Sequence, residues 1–206
     1  MYEYEDGTYF ISGYNGSEKI IQVPSEINGI KVTGLTGRSF NMNGFVEEVY
    51  LPETVVTISS NAFYECKNLK KISLPDTLKY IGEMSFAYCE SLTEVILPRD
   101  LEYIGVNAFE MCTNLVSVTF NCEKLTLLEK KCFSCTALET VTIPNCVTTI
   151  KDSFFECVNL KKAYIPDSVT EMNSTFNRSP NVVIYGTLGS CAENYAKDKN
   201  YEFVAQ

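Results

Sequence analysis

The sequence contains no histidine, few basic residues and no long apolar run. The lack of histidine removes the commonest general base, the usual partner of a catalytic nucleophile and the imidazole metal ligand. No run reaches the 18 or so apolar residues that a membrane span requires, and the acidic, tyrosine-rich start does not read as a signal peptide. Lys and Arg total 17 against 26 Asp and Glu, and the net charge of −9 opposes binding to phosphate backbones. We therefore expect no direct membrane insertion, no nucleic-acid partner and no familiar enzyme mechanism.

The 206 residues are 45% hydrophobic, 21% charged and 12% aromatic, which suits one soluble domain or one repeat array rather than a disordered chain. Nine of them are cysteine. Because this number is odd, intramolecular disulfides cannot include all of them, and at least one thiol is free or paired with another molecule.

Apolar residues recur every 22 or 23 positions, and seven units can be aligned. Each unit carries one leucine or valine of a first column: Val46, Leu69, Leu92, Leu115, Leu138, Leu160 and Val182. A phenylalanine precedes it by six residues, with one member displaced by a single position: Phe40, Phe63, Phe86, Phe109, Phe133, Phe154 and Phe176. Proline follows a third apolar position in five units, at Pro52, Pro75, Pro98, Pro144 and Pro166, and Asn121 replaces it in another. Such regularity indicates a repeat architecture.

One clean unit reads LPDTLKYIGEMSFAYCESLTEVI from Leu74. The alternation around Val95 and Leu97 predicts a short strand, which Pro98 ends because proline lacks the N–H that would extend the ladder. The portion SFAYCESL allows at most a turn or two of helix. A unit this short cannot bury its own apolar side chains, so we predict a solenoid in which equivalent residues stack and parallel strands form a sheet along one side.

These units resemble the bacterial BspA-type leucine-rich repeat family, whose units read LPxxLxxIGxxAFxxCxxLxxVxLP. The closest segments are ISSNAFYECKNLKKISLP and IGEMSFAYCESLTEVILP, and the likeness covers about residues 24–185. It implies a right-handed superhelix with a parallel β-sheet on one side and mostly turns and short helical segments on the other. It also implies an N-terminal capping unit at residues 1–39, repeats at 40–185 and a C-terminal cap at 186–206. Asn121, Phe133 and Arg38 depart from the family pattern.

Both ends of a stack must present a polar outer face, and the column that holds cysteine elsewhere contains Asn43 in the first unit and Ser179 in the last. Near the C-terminus, Ser190 and Glu193 have the spacing of a capping box. Ala192, Tyr195, Ala196 and Lys199 follow on one helical stripe, so a short amphipathic helix is expected to close the core.

Five cysteines share one position of the repeat: Cys66, Cys89, Cys112, Cys135 and Cys157. A metal ladder or reactive thiol array is one interpretation, but we favour small buried side chains beneath the phenylalanines. Disulfides within this column are disfavoured, because strands about 4.8 Å apart hold equivalent Cβ atoms beyond the usual range of about 3.5–4.5 Å. Cys132 and Cys135 form a lone CxxC motif without a second half-site, so neither a metal nor another cofactor is expected. The sequence assigns no role to Cys122, Cys146 and Cys191.

Outward positions of the predicted strands are free to bind a ligand, because the core does not need them. One column contains Glu48, Lys71, Glu94, Ser117, Thr140 and Lys162, and the second contains Tyr50, Ser73, Ile96, Thr119, Thr142 and Tyr164. A solvated β-surface is the simpler interpretation of most of these residues, since Ser and Thr suit strands. The two tyrosines offer more contact area and a polar group, which favours recognition.

The family resemblance implies a non-enzymatic recognition or adhesion module that is secreted or displayed on a bacterial cell surface, although this chain shows no export signal. We expect a monomer that binds a protein or glycan surface ligand. The alternative is a cytoplasmic interaction scaffold, because nine cysteines suit a reducing compartment. A thiol-dependent enzyme is the least favoured of the three hypotheses.

Overall fold

The computed structural model describes the backbone of residues 2–5 and the whole of residues 7–206. This part of the chain forms many short strands and a single helix near its end. In chain order they are β1 (Tyr2–Glu5), β2 (Thr8–Ile11), β3 (Ile20–Gln22), β4 (Glu26–Ile27), β5 (Ile30–Leu35), β6 (Glu48–Tyr50), β7 (Thr57–Ile58), β8 (Lys71–Ser73), β9 (Tyr80–Ile81), β10 (Glu94–Leu97), β11 (Tyr103–Ile104), β12 (Ser117–Phe120), β13 (Leu127–Leu128), β14 (Thr140–Thr142), β15 (Thr149–Ile150), β16 (Lys162–Tyr164), β17 (Glu171–Met172), β18 (Val183–Gly186), α1 (Cys191–Lys199) and β19 (Glu202–Ala205).

Each coil of the repeat contributes one strand to each of two ladders. The front sheet consists of β3, β6, β8, β10, β12, β14, β16, β18 and β19, and every hydrogen-bonded pair within it is parallel. The back sheet consists of β1, β2, β5, β7, β9 and β11, with β4 beside β5, and it continues as β13, β15 and β17 after a break in the pairing between β11 and β13. Its β1–β2 and β4–β5 pairs are antiparallel, and its other hydrogen-bonded pairs are parallel. The predicted repeat solenoid is therefore confirmed. The back sheet was not predicted, because its strands are mostly two residues long.

Strand pairing places equivalent residues of neighbouring coils directly against each other. Glu94 pairs with Ser117 and Thr140 pairs with Lys162, which are residues one repeat apart. The same register holds on the back sheet, where Tyr80 pairs with Tyr103. The stacking that was predicted from the period is thus the actual arrangement of the coils.

The seven phenylalanines form one continuous stack through the core, and each is at most 1% exposed. Consecutive ring centroids lie 4.9–5.7 Å apart with interplanar angles of 3–24°. This offset parallel geometry is favourable for aromatic pairs and adds to the large apolar area that each ring buries. Phe133 belongs to the stack despite its displacement in the sequence.

Two departures from the repeat pattern have one common cause. The turn from Phe120 to Leu125 contains one residue more than the equivalent turn from Leu97 to Leu101. The segment from Phe133 to Leu138 contains one residue fewer than its counterparts, so the register is restored within the same coil. Asn121 and the shifted Phe133 are therefore the two ends of a single compensated insertion, and Leu125 and Phe133 stay fully buried.

The prediction that Cys135 belongs to the buried cysteine column is wrong. The insertion moves Thr136 into that position, where it is 4% exposed. Cys135 takes the preceding corner of the coil, which has a left-handed backbone (φ 56°) and leaves the side chain half-buried. The other four members are fully buried, and each thiol donates a hydrogen bond to the phenylalanine carbonyl of the previous coil over 2.9–3.2 Å.

Tyrosines close both ends of the phenylalanine stack. The Tyr14 ring lies 5.2 Å from Phe40, and the rings of Tyr195 and Tyr201 meet Phe176 edge-on at 6.2 and 6.3 Å. The Tyr201 hydroxyl also donates to the Phe176 carbonyl oxygen over 2.6 Å. The end rings thus cover the last apolar surface while their hydroxyls hydrogen-bond or reach solvent.

The predicted polar outer face at Asn43 and Ser179 is wrong, because both side chains are buried. Asn43 accepts hydrogen bonds from the N–H groups of Phe45 and Val46, and Ser179 donates to the Phe154 carbonyl oxygen over 2.8 Å. These residues satisfy backbone groups inside the terminal coils rather than contacting water.

The predicted C-terminal helix is present as α1. Ser190 caps it by accepting from the Glu193 N–H over 3.3 Å, and the Glu193 carboxylate accepts from the Gly189 N–H. Ala192, Tyr195 and Ala196 face the core, whereas Lys199 is exposed. Among the described residues, no helix has the length and apolar character that crossing a bilayer demands.

Replacing Phe86 by Ala should lower the free energy of unfolding by about 3–5 kcal/mol, because it removes a buried ring from the middle of the stack. Thr119→Ala is the control, since Thr119 is exposed on the front sheet and should change stability little. Urea unfolding followed by circular dichroism measures both. Similar losses for the two variants would contradict the assigned inner and outer faces.

The ion pairs of Glu47 predict that the free energy of unfolding decreases in acid. Its carboxylate bridges Lys19 and Lys70 of the neighbouring coils, with both N–O distances 2.6 Å. Hydrogen bonds from these lysines, that from Lys19 first, lower the pKa of Glu47 from 4.5 to about 2. A lowered folded-state pKa stabilises the fold fully above pH 4.5, and this contribution declines towards pH 2 as the carboxylate is protonated.

Glu47→Gln should therefore flatten the acid dependence of stability in that window, as measured by urea unfolding from pH 7 to pH 2. Glu53→Gln is the matched control, because Glu53 forms no ion pair in the described part of the chain. If the variant Glu47→Gln shows the same dependence of stability on pH as the wild type, the ionic bridge at Glu47 does not contribute to stability.

Candidate functional site

The front sheet presents two outward columns of side chains, while the residues between them point into the core. The intervening residues are at most 7% exposed in five strands: Val49, Ile72, Val95, Val141 and Ala163. The first column comprises Glu48, Lys71, Glu94, Ser117, Thr140 and Lys162, and the second comprises Tyr50, Ser73, Ile96, Thr119, Thr142 and Tyr164. All twelve predicted residues lie on this surface, and none is buried. We call this surface the front face.

The first third of the front face is charged and internally paired. The Tyr50 hydroxyl donates to Glu48 over 2.5 Å, and the Lys71 ammonium lies 5.4 Å from the Tyr50 ring centroid. These contacts occupy the tyrosine hydroxyl and place a cation over its ring. Tyr50 is therefore a constrained part of the surface rather than a freely available aromatic group.

The middle of the front face carries small hydroxyl groups. Ser117, Thr119, Thr140 and Thr142 are all exposed on β12 and β14. No hydrogen-bonded pairing joins these two strands, so the front sheet is interrupted between them. A ligand here would meet uncharged hydrogen-bonding groups on either side of the interruption.

The last third of the front face contains a tyrosine pair. The rings of Tyr164 and Tyr185 stack with centroids 4.7 Å apart and an interplanar angle of 30°. Beside them lies a shallow depression of about 330 Å³, and none of its lining side chains is charged: Thr142, Ile143, Pro144, Asn145, Tyr164, Ile165, Pro166 and Gln206. An aromatic ring beside amides and hydroxyls can hold a neutral polar ligand.

A second interruption of the front sheet separates β8 from β10. A depression of about 180 Å³ forms there, lined by Lys71 and Ser73 of β8 and by Glu94 and the exposed Ile96 of β10. Two opposite charges and an apolar side chain line this place, so it suits a zwitterionic or peptide-like group better than a strongly charged one.

The front face extends beyond the predicted residues at both ends. Ile20 and Gln22 precede it on β3, and Val183 and Tyr185 continue the two columns on β18. Glu202 and Val204 complete them on β19. A repeat step of 22 residues from Tyr164 reaches Gly186, so the period did not identify Tyr185, which pairs with Tyr164 at a step of 21. The strand β19 lies outside the periodic segment and pairs only through the tertiary structure.

The thiols do not form a reactive array. Burial raises the pKa of Cys66 and Cys112 to about 12, and it also raises the pKa of Cys132. In the CxxC motif Cys132 is fully buried, whereas Cys135 is half-buried and lies 3.6 Å from a Glu156 carboxylate oxygen. No group of three or more acidic, cysteine or histidine side chains suited to a metal exists in the described part of the chain.

The chain is similar to one characterised repeat family along most of its length. A family profile described as "BspA type Leucine rich repeat region" matches in six copies, over residues 33–125 and 56–183. These residues make up more than half of the chain. A comparison with curated protein sequences finds no significant match.

Solved structures support the same fold. A T. pallidum leucine-rich repeat protein is 23% identical, with a TM-score of 0.62 over 99% of this chain and 94% of its own. The pneumococcal vaccine antigen PcpA is 21% identical, with a TM-score of 0.63, and the match covers 89% of this chain but 56% of that protein. A leucine-rich repeat protein from Bacteroides capillosus is 26% identical, with a TM-score of 0.53 over 58% of this chain and 91% of its own.

The burial of the thiols predicts the order in which they react. Iodoacetamide at neutral pH should label Cys135, Cys146 and Cys191, which are partly exposed, and leave Cys132 protected until the protein unfolds. Burial raises the pKa of Cys135 and Cys191, so their labelling should be slower than that of an unstructured peptide thiol. Mass spectrometry of digests taken over time measures each rate. Rapid modification of Cys132 in the folded protein would revive the hypothesis of a thiol-dependent enzyme.

Proposed function

This chain belongs to the BspA-type leucine-rich repeat family, and on that basis we propose that it is a non-enzymatic recognition module of a bacterial cell-surface or secreted protein. Its ligand is a protein or glycan on a host or microbial surface. The front face binds that ligand as a preformed surface, because the stacked core behind it holds every strand in register.

The observation that carries this proposal is the exposure of the two front-face columns. Their side chains are not needed for the fold, and they continue over nine strands. Eight steps of about 4.8 Å and a strand width of about 10 Å give the face roughly 380 Å². A stable protein interface needs about 800 Å² on each partner. A folded protein must therefore also touch the flanking turns, whereas an extended peptide or a glycan fits the face alone.

The composition of the front face favours a ligand without strong charge. Its first third carries the opposite charges of Glu48 and Lys71, and both side chains already contact Tyr50. Its middle carries hydroxyls, and its last third offers Tyr164 and Tyr185 beside an uncharged depression. Aromatic residues of this kind commonly supply most of the binding energy of an interface.

The proposal of a non-enzymatic role is supported by the chemistry of the side chains. Histidine is absent from the sequence. The buried thiols have raised pKa values, which makes them poor nucleophiles at neutral pH.

A cytoplasmic interaction scaffold is the second candidate, and the thiols favour it. All nine cysteines are free thiols in this structure. Free thiols persist in reducing compartments, whereas the cysteines of exported proteins are commonly oxidised to disulfides. Antibody labelling of intact cells separates the two candidates: surface labelling supports the first, and labelling only after lysis supports the second.

We expect the wild-type protein to bind at least one component of an array of glycans and surface or matrix proteins. The double variant Tyr164→Ala/Tyr185→Ala should bind that component at least about tenfold more weakly, which corresponds to the loss of about 1.4 kcal/mol. A second double variant, Tyr50→Ala/Tyr164→Ala, tests whether the charged end contributes.

The back sheet offers a matched control, because Tyr80 and Tyr103 stack there with centroids 4.9 Å apart. The double variant Tyr80→Ala/Tyr103→Ala also removes a stacked pair of tyrosine rings, but from the back sheet, and it should leave binding unchanged. If the Tyr164/Tyr185 and Tyr80/Tyr103 variants lose the same binding affinity while circular dichroism shows that both are folded, the front face is not the binding surface.

A further inference from the structure

Two cysteines outside the buried column lie against each other in neighbouring coils. Cys122 is 5% exposed and follows β12, and Cys146 is half-buried and follows β14. The Cys146 thiol donates a hydrogen bond to the main-chain oxygen of Cys122 over 3.1 Å. Burial raises the pKa of Cys122 to about 12, and the nearby Cys146 thiol adds to this shift.

The inserted residue brings this pair together. Because one extra residue stands between Phe120 and Leu125, the turn places Cys122 in a buried position. The corresponding residues after proline in other coils, Asp76 and Arg99, are exposed. Cys146 has an ordinary position in its turn, because Thr77 occupies the equivalent place three coils earlier and donates a hydrogen bond to the Glu53 main-chain oxygen over 2.7 Å.

The remaining thiols are arranged differently. The four column thiols each bind a phenylalanine carbonyl in the core, and Cys132 is fully buried beside Phe133. Cys135 lies next to Glu156, and Cys191 is at the start of α1. Within the described part of the chain, Cys122 and Cys146 are the pair that combines mutual contact with partial access to solvent.

The pair lies where the front sheet is interrupted. No ladder hydrogen bonds join β12 to β14, and the two cysteines belong to the turns that immediately follow these strands. A covalent bond between them would join the two coils at a place where backbone pairing does not.

We propose that Cys122 and Cys146 form a disulfide under oxidising conditions and thereby fasten the β12 coil to the β14 coil. With hydrogen peroxide as the oxidant, the more accessible Cys146 thiol becomes a sulfenic acid and one water is released. The Cys122 thiol then attacks that sulfur, the S–S bond forms and a second water leaves. The two thiols lose two electrons and two protons in total, and the peroxide is reduced to two waters.

This bond restricts the movement of β12 relative to β14 on the front face, and it does so without any ligand. Ser117 and Thr119 lie on one side of the interruption, and Thr140 and Thr142 lie on the other. The disulfide limits how far these two pairs of hydroxyls separate. The disulfide proposal goes beyond the proposed recognition role, and its test does not depend on whether that role is correct.

The test is mild hydrogen peroxide treatment of the purified full chain, followed by alkylation, non-reducing proteolysis and mass spectrometry. We expect one intramolecular cross-linked peptide pair that joins Cys122 to Cys146, lighter than the reduced pair by two hydrogen atoms. The oxidised protein should also show a higher midpoint of thermal unfolding than the reduced protein, because the cross-link restricts the unfolded chain.

Cys146→Thr is the informative variant, since threonine already makes the equivalent hydrogen bond at Thr77 and should preserve the turn. It should lose both the cross-link and the peroxide-dependent rise of the melting midpoint. Cys135→Ser is the matched control, because it removes another half-buried thiol and should retain both. The proposal is overturned if Cys122 and Cys146 stay alkylatable after Cys135 has been oxidised, or if the cross-link joins any other pair.

Discussion

Direct stacking of equivalent buried side chains, coil upon coil, is the interaction on which the structure depends. A coil of this length encloses too little volume to bury its own leucines and phenylalanines, so each coil uses its neighbours as the other half of its core. The unbroken column of seven phenylalanine rings shows this constraint most clearly. Tyr14 at one end and Tyr195 with Tyr201 at the other complete the column, because a stack has no further neighbour there.

The compensated insertion shows that burial is more strongly constrained than the length of any single turn. The chain accommodates an extra residue after Phe120 and recovers the register before Leu138, while Phe133 remains in the column. The irregularity is absorbed in the turns of this coil. Cys135 moves to a corner and Cys122 becomes buried.

The proposed recognition role uses the surface that the stacked core leaves free. The front face is held in place from behind, so its side chains can differ from coil to coil without a cost to the fold. They do differ, from the charged contacts around Tyr50, through the hydroxyls of the middle strands, to the paired rings of Tyr164 and Tyr185. Such variation along a regular scaffold is what a recognition surface requires, and it supports the proposed role more directly than any single pocket does.

The sequence by itself determined the repeat, the stacking of coils, the inner and outer faces of the front strands and the closing helix, because periodic apolar residues directly report which side chains must be buried. All twelve predicted front-face residues followed from that alternation. Only the tertiary structure decided the back sheet, the interruptions beside β10 and β14, the place of Tyr185 in the tyrosine pair and the exchange of Cys135 for Thr136. These features depend on how closely two backbones approach across adjacent coils, and that distance is set by contacts between residues far apart in the chain, which a local pattern does not record.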